Sequence, residues 1–446
     1  MILLGKIINN IVIMMNTENK NGILYFDNTN TVELTNKYGT PLYVMSVNEI
    51  KTKIDEFREC FLDKYPNTRL AYASKSFLPI AMCTLLNKEG MCLEVVSGGE
   101  IYTAMKAGFP PERMEFNGNN KSIDELEMAV DIGVGRIIID SEDELPIIES
   151  VCEQKGRRVN ALIRVNPGVD VHTHKHMSTG NRDSKFGIDI GNGALSRVIE
   201  RAIESCYINL LGFHYHVGAN IYENEPYIAA LDIVLELVKK VKNEYDFTVS
   251  ELNVGGGFAA TFTEDKKHPP YSYYLEPLMQ RIMKFSNDLG IERPAVVIEP
   301  GRALTAEAGM TLYTVGSVKN IPGVRKYVSI DGGMTDNIRV ALYDAKYEGI
   351  IANKADEPAD DLVTVCGKCC ESGDIVARDI KLAKAERGDI FALYATGCYC
   401  QAMASNYNKI PKAAVVMIRD GKDQLIVKRQ TYEDMISNEI LVDDIL

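Results

Sequence analysis

The sequence predicts an α/β protein with a (β/α)8 TIM barrel over residues 48–309 and a β-rich domain, of β-sandwich or Greek-key barrel type, over 310–446. N-terminal strands within residues 1–47 are expected to join the β-rich domain, which makes it discontinuous in sequence. Three observations carry this. Eight short β-branched or apolar runs alternate with longer segments of helical periodicity, the pattern of repeated strand–helix units around a parallel sheet. They extend over about 250 residues, the length of an eightfold barrel. Beyond residue 310 the alternation stops, and strand-like runs follow one another directly.

In chain order, MILLGKIINNIVIMMN opens the sequence, its apolar run interrupted by Lys6, Asn9 and Asn10. It is too short to span a bilayer and lacks a small-residue cleavage site, so a disordered tail is expected, with Met14 or Met15 as candidate starts. The runs ILYF and PLYV then supply the strands assigned to the β-rich domain. The eight barrel runs are LAYAS (70–74), CLEVVS (92–97), MEFNG (114–118), RIIID (136–140), NALIRVN (160–166), NLLGFHYHV (209–217), ELNVGGG (251–257) and AVVIEPG (295–301). Segments 98–107, 123–132, 195–205, 227–245 and 274–289 have the apolar stripes of amphipathic outer helices. The C-terminal runs TLYTVGSV, KYVSID, LVTVCG, DIFALYA and AAVVMIRDGKDQLIVKRQ read as antiparallel strands, the last a hairpin turning at Asp420-Gly421.

Composition narrows the function. With 46% apolar and 25% charged residues the chain is an ordinary globular one, and its net charge of -13 disfavours both nucleic acid and anionic membranes. A small-molecule ligand fits better. Ten cysteines without a disulfide spacing point to reduced thiols and a cytoplasmic protein. The clusters CGKCC (366–370) and CYC (398–400) match no common zinc spacing, and HTHKH (172–176) lies in a polar loop without a carboxylate partner, so no metal is expected.

Barrel chemistry is carried at the C-terminal ends of the strands, where Lys75, Asn117, His214, His216, Gly255 to Gly257 and Glu299 to Arg302 all fall. In AYASKSFLPI the Lys75 amine is expected to be partly desolvated, which favours the neutral nucleophile needed to form an imine with an aldehyde. The bland alternative is a solvated surface lysine. Three glycines at 255–257 admit an anion to the backbone N–H groups, and Gly301 with Arg302 would complete a phosphate cradle; the alternative is a tight turn alone. Glu299 ends an apolar strand, where a carboxylate needs a cation or donors, and a pyridinium N–H would serve. His214 could stack on such a ring, against the default of a buried, hydrogen-bonded histidine.

These segments together resemble the diaminopimelate decarboxylase family, of the alanine-racemase-like, fold type III group. YASKS, EVVSGGE, FNGNNKS, RVNPGVDVHTHKH with SKFG, GFHYHVG, NVGGGF, EPGR, DGGMTDN, CCESGD and MASNYN occur in the family's order, from about Phe26 to Met435. The resemblance implies pyridoxal 5'-phosphate held by Lys75 as a Schiff base, His214 on its ring, Glu299 at its nitrogen, and Gly256, Gly257, Gly301 and Arg302 around its phosphate. It implies that Tyr399 touches both cofactor phosphate and substrate. Arg302, Arg339 and Tyr343 would hold the distal carboxylate of an amino-acid substrate, Glu371 its distal ammonium, and Cys370 would protonate the α-carbon. A head-to-tail homodimer with shared active sites, Cys370 and Glu371 acting across the interface, is implied as well. The chain departs from the family at Ala219-Asn220, commonly Ser-Gln, and at Asp344 and Cys398, commonly Gly and Ala.

The activity so implied is decarboxylation of meso-2,6-diaminopimelate to L-lysine and carbon dioxide. The rivals are a decarboxylase of ornithine, lysine or carboxynorspermidine, a metal-dependent barrel hydrolase using the histidine pairs, and a cofactor-binding protein without catalysis. A substrate lacking a distal carboxylate would leave Arg302 and Arg339 poorly matched, which separates the first rival.

Overall fold

The computed structural model describes residues 16–169, 183–191 and 193–442, which fall into two compact units. The HTHKH segment and the opening apolar run up to Met15 lie outside the described residues.

The first unit comprises Lys53–Ala259 and His268–Ala303. Its eight parallel strands are Thr68–Ala73, Cys92–Val95, Met114–Phe116, Arg136–Ile139, Val159–Asn166, Ile208–His214, Glu251–Asn253 and Ala295–Ile298. They pair in sequence order, and Val296 against Thr68 closes the ring. All eight expected runs are therefore barrel strands. Their apolar residues are mostly buried on both faces, as a sheet covered by helices outside and side chains inside requires, and Glu94, Glu115, Glu251 and Asn253 are buried polar residues on the same strands. A two-residue strand, Ile188–Asp189, pairs outside the ring with Val165 and Asn166.

The five expected helices form as Gly98–Lys106, Ile123–Ile132, Gly193–Glu204, Glu225–Tyr245 and Ser272–Leu289. Local chemistry sets their ends. Ser122 and Glu125 make a reciprocal capping box at the start of Ile123–Ile132, and Gly133 ends it in the left-handed conformation. Ile80–Lys88 and Glu144–Lys155 complete further units that periodicity had not picked out, because their apolar positions are spread around the helix rather than gathered on one stripe.

The second unit comprises the described residues up to Thr52, Ala260–Lys267, and the chain from Leu304 onward. Its long strand Gly309–Ile321 pairs antiparallel with Leu42–Ser46, Arg325–Ile330 and Ile390–Leu393. Alternation along that strand feeds two cores. Met310 and Leu312 pack with Leu24, Phe26, Val44 and Val416, while Tyr313 and Val315 pack with Val328, Val365 and Phe391. The N-terminal runs thus join the β-rich unit as expected. The hairpin Ala414–Arg419 to Lys422–Val427 turns at Asp420 and Gly421, both at positive φ, the backbone that a two-residue turn demands.

One expectation fails: the sheet is mixed rather than wholly antiparallel. Leu42–Ser46 pairs parallel with Ala414–Arg419, and Arg325–Ile330 parallel with Asp361–Cys366. These partners are not joined by a tight hairpin, so no local turn imposes the antiparallel direction.

Candidate active site

Lys75 follows the first barrel strand on a single turn of 3-10 helix, Ser74–Ser76. Its side chain is 45% exposed, and its Nζ lies 2.8 Å from Oε2 of the buried Glu94 on the neighbouring strand. The side chain is thus about half-buried, between the partly desolvated amine expected from sequence and the solvated alternative. The flanking Ala73, Ser74 and Ser76 are buried, and the charge of Lys75 acts on the buried Glu299 and His216.

Glu299, just past the last strand, is buried and fully engaged. Nε2 of His214 is 3.1 Å from each of its oxygens, and Asn117 and Asn253 donate to Oε1 at 3.2 and 2.9 Å. Burial alone would raise its carboxyl, but His214 and Lys75 outweigh burial and hold it well below the usual carboxylate range. Four strand ends thus converge on one anion.

The glycine turn has a packing reason of its own. A Cβ on Gly256 would strike the carbonyl oxygen of Glu299, and one on Gly257 that of Gly218. Backbone N–H groups of Glu299 and Ile221 donate to Gly255 and Gly257, which ties the turn to both neighbours. His216 supports it as a neutral ring. Burial, with Lys75 and Arg164 nearby, pushes its pKa down to about 3, and Nδ1 accepts the Gly256 N–H at 3.2 Å. Gly301 and Arg302 follow directly, Arg302 opening the short helix Arg302–Thr305.

The β-rich unit holds the remaining candidates. Arg339 starts the helix Arg339–Tyr343; its guanidinium is buried, 5.4 Å from the Phe262 ring and 5.8 Å from that of Tyr399. Among the described residues its Nε has no acceptor, and the groups acting on it are Tyr347, Cys398 and Cys400 rather than a carboxylate. Tyr343 is exposed. Cys370 and Glu371 are exposed as well, on a loop pinned by Asp374, whose carboxylate accepts from Met334 and Cys369 backbone N–H groups at 2.6 and 2.7 Å. Cys370 N donates to Asn408 Oδ1 at 2.7 Å. Among the described residues no cluster of three or more His, Cys, Asp or Glu suited to a metal is found.

A family model for the pyridoxal-dependent decarboxylase, pyridoxal binding domain, matches residues 47–306. Diaminopimelate decarboxylase of Bacillus subtilis (strain 168) is 44% identical over 95% of this chain and 96% of its own. The chain belongs to the diaminopimelate decarboxylase family. That of Staphylococcus aureus (strain COL) is 41% identical over 94% of this chain and 98% of its own. The solved diaminopimelate decarboxylase of M. jannaschii in complex with L-lysine superposes with a TM-score of 0.91, at 34% identity over 96% and 99% of the two chains. The cofactor of the family is pyridoxal phosphate, and the residues present fit it: an amine reachable from solvent, a buried anion and a turn too tight for any side chain.

Membership also makes sense of two departures. Asp344 caps the Arg339–Tyr343 helix at φ 52, a left-handed position where glycine is unstrained and aspartate tolerated. Cys398 fills a small apolar site with Ala260 and Ala306, to which a thiol is suited. Glu94, Glu115 and Asn253 escaped the sequence reading, although each is a polar residue inside an apolar strand, which is the signal that finds such groups.

Proposed function

We propose that this protein decarboxylates meso-2,6-diaminopimelate at its D centre, yielding L-lysine and carbon dioxide as the last step of lysine biosynthesis. The observation that carries the substrate assignment is Arg339, a buried guanidinium with no carboxylate partner among the described residues. A cation held out of water in this way is matched by a ligand carboxylate, and the distal carboxylate of diaminopimelate is one that ornithine lacks.

Lys75 is the amine that would hold the cofactor covalently, with Glu94 paired to it at 2.8 Å. Bound pyridoxal phosphate supplies the sink for the electron pair released when the α-carboxylate leaves. Glu299 would keep the ring-nitrogen proton of the bound cofactor in place, since an anion beside a pyridinium favours the protonated form. His214 orients Glu299 through its Nε2 and offers its ring face to the cofactor. Gly256, Gly257, Gly301 and Arg302 would hold the phosphate, and Tyr399 is assigned contact with phosphate and substrate by the resemblance. Arg302, Arg339 and Tyr343 take the distal carboxylate, and Glu371 the distal ammonium.

Cys370 delivers a proton to the α-carbon. Because Cys370 and Glu371 are exposed in a single chain, their roles fit a head-to-tail homodimer in which each loop completes its partner's site. Among the described residues no helix is long and apolar enough to cross a membrane, and we place the enzyme in the cytoplasm.

The test is carbon dioxide release from meso-diaminopimelate, ornithine and lysine, with and without added pyridoxal phosphate. Preference for diaminopimelate with cofactor dependence is expected; preference for ornithine would overturn the assignment.

A further inference from the structure

Beneath Glu299 the barrel holds a second buried carboxyl that the reaction above does not use. Glu115, in the middle of the strand Met114–Phe116, is 1% exposed. Asn253 joins it to the site: its Nδ2 donates to Glu115 Oε2 at 2.8 Å and to Glu299 Oε1 at 2.9 Å, while its Oδ1 accepts the Gly255 N–H at 2.9 Å. One carboxamide therefore spends its N–H groups on two acids and its oxygen on the glycine turn.

The groups acting on Glu115 from the surrounding strands are Arg69, Cys92, Arg136, Glu251 and Glu299. Both guanidiniums are turned to Glu251. Arg136 grips it with Nε at 2.9 Å and Nη2 at 3.0 Å, and Arg69 forms a further ion pair with it. Glu115 is left with one neutral amide donor, and its Oε1 is buried without a hydrogen-bond partner among the described residues. Burying a carboxylate so placed costs more than burying the neutral acid. Consistently, burial, followed by repulsion from Glu251 and Glu299, pushes its carboxyl up to about 8.

We propose that Glu115 keeps its proton in the resting enzyme and, through Asn253, acts as a positioning residue that leaves Glu299 the single anion at that end of the network. Two acids sharing one amide are driven to opposite protonation states, since a second negative charge there would raise the proton affinity of Glu299. Loss of the Glu115 proton would also draw the Asn253 amide toward the new anion and away from Glu299.

The consequence at the cofactor rests on the reading of Glu299 as the ring nitrogen's partner; the proton on Glu115 does not. Infrared difference spectra of the apoprotein, wild type minus Glu115→Gln, should contain a protonated carboxyl band at pH 6 that fades with a midpoint near the value of about 8 given above. Its absence at pH 6 would overturn the proposal. In the holoenzyme the visible absorbance should change over the same alkaline range in wild type and stay flat in Glu115→Gln, which keeps an acceptor for Asn253 but cannot ionise. An unchanged alkaline step in that variant would overturn the link to Glu299. A Glu299→Gln holoenzyme whose spectrum matches wild type would instead count against the reading of Glu299, with the infrared result on Glu115 standing.

Discussion

In the barrel unit the buried carboxyl of Glu299 meets His214, Asn117 and Asn253, all within 3.2 Å, and the Lys75 amine meets Glu94 at 2.8 Å. In the β-rich unit the buried Arg339 has no carboxylate partner among the described residues, and Cys370, Glu371 and Tyr343 stand exposed. The barrel is thus organised before any substrate arrives, with its dipoles and charges oriented by the strands that carry them. Under the proposed function, the other unit carries groups whose partners would come from outside: a ligand carboxylate for the guanidinium, and a second subunit's site for the loop. On that reading, cofactor chemistry and substrate choice are lodged in different kinds of structure.

The largest effect that would sharpen this contrast is at Lys75. Lys75→Ala should lower turnover on the order of 10^4-fold or more, as loss of a covalent catalytic group does, and abolish attachment of cofactor trapped by borohydride. Retained attachment would mean that another lysine carries it. Next comes Cys370→Ala, expected to lower kcat by about 10^2- to 10^4-fold, the range for a lost general acid. Its exposure predicts an unfolding free energy within about 0.5 kcal/mol of wild type. A large destabilisation would show the loop to be structural instead.

Arg339→Met probes the contrast directly. Truncating a buried charge that pairs with a ligand costs about 2–5 kcal/mol of binding, so KM for diaminopimelate should rise about 30-fold or more. The substrate-free protein should be unchanged or stabilised by about 1 kcal/mol or more, because an apolar side chain replaces a buried charge lacking a carboxylate. A marked loss of stability would show that the guanidinium is already satisfied within the fold, and would break the comparison. The smallest effect belongs to Asp344→Gly, which relieves a left-handed residue and should raise stability by roughly 0.5–1 kcal/mol in thermal unfolding, without moving kcat.

The pH dependence of stability tests the state of Glu115 as well. As proposed, Glu115 keeps its proton when folded up to about 8, whereas its unfolded carboxyl ionises near the ordinary value of 4.5. Between these values the unfolded chain binds fewer protons, so this residue makes the protein less stable as pH rises. The stability of Glu115→Gln relative to wild type should therefore grow from about pH 5 to about pH 8, by at most about 1.4 kcal/mol per unit. A constant difference across that range would mean that Glu115 is ionised in the folded protein.

By itself the sequence determined the barrel, its eight strands and the residues at their C-terminal ends, because strand period, strand–helix alternation and glycine placement are local properties. Motif order determined the family on the same basis. Tertiary structure decided what each polar group meets. Nothing local to AYASKSFLPI places Glu94 beside Lys75, nothing in ELNVGGG states that Asn253 will touch both Glu115 and Glu299, and only long-range packing leaves Arg339 without a carboxylate. The excursion of Ala260–Lys267 into the β-rich unit and the parallel pairing of Leu42–Ser46 with Ala414–Arg419 belong to the same class. Side-chain periodicity says which face of a strand is buried, but the neighbour across the barrel is chosen by closure and register, to which residues far apart in the chain contribute equally.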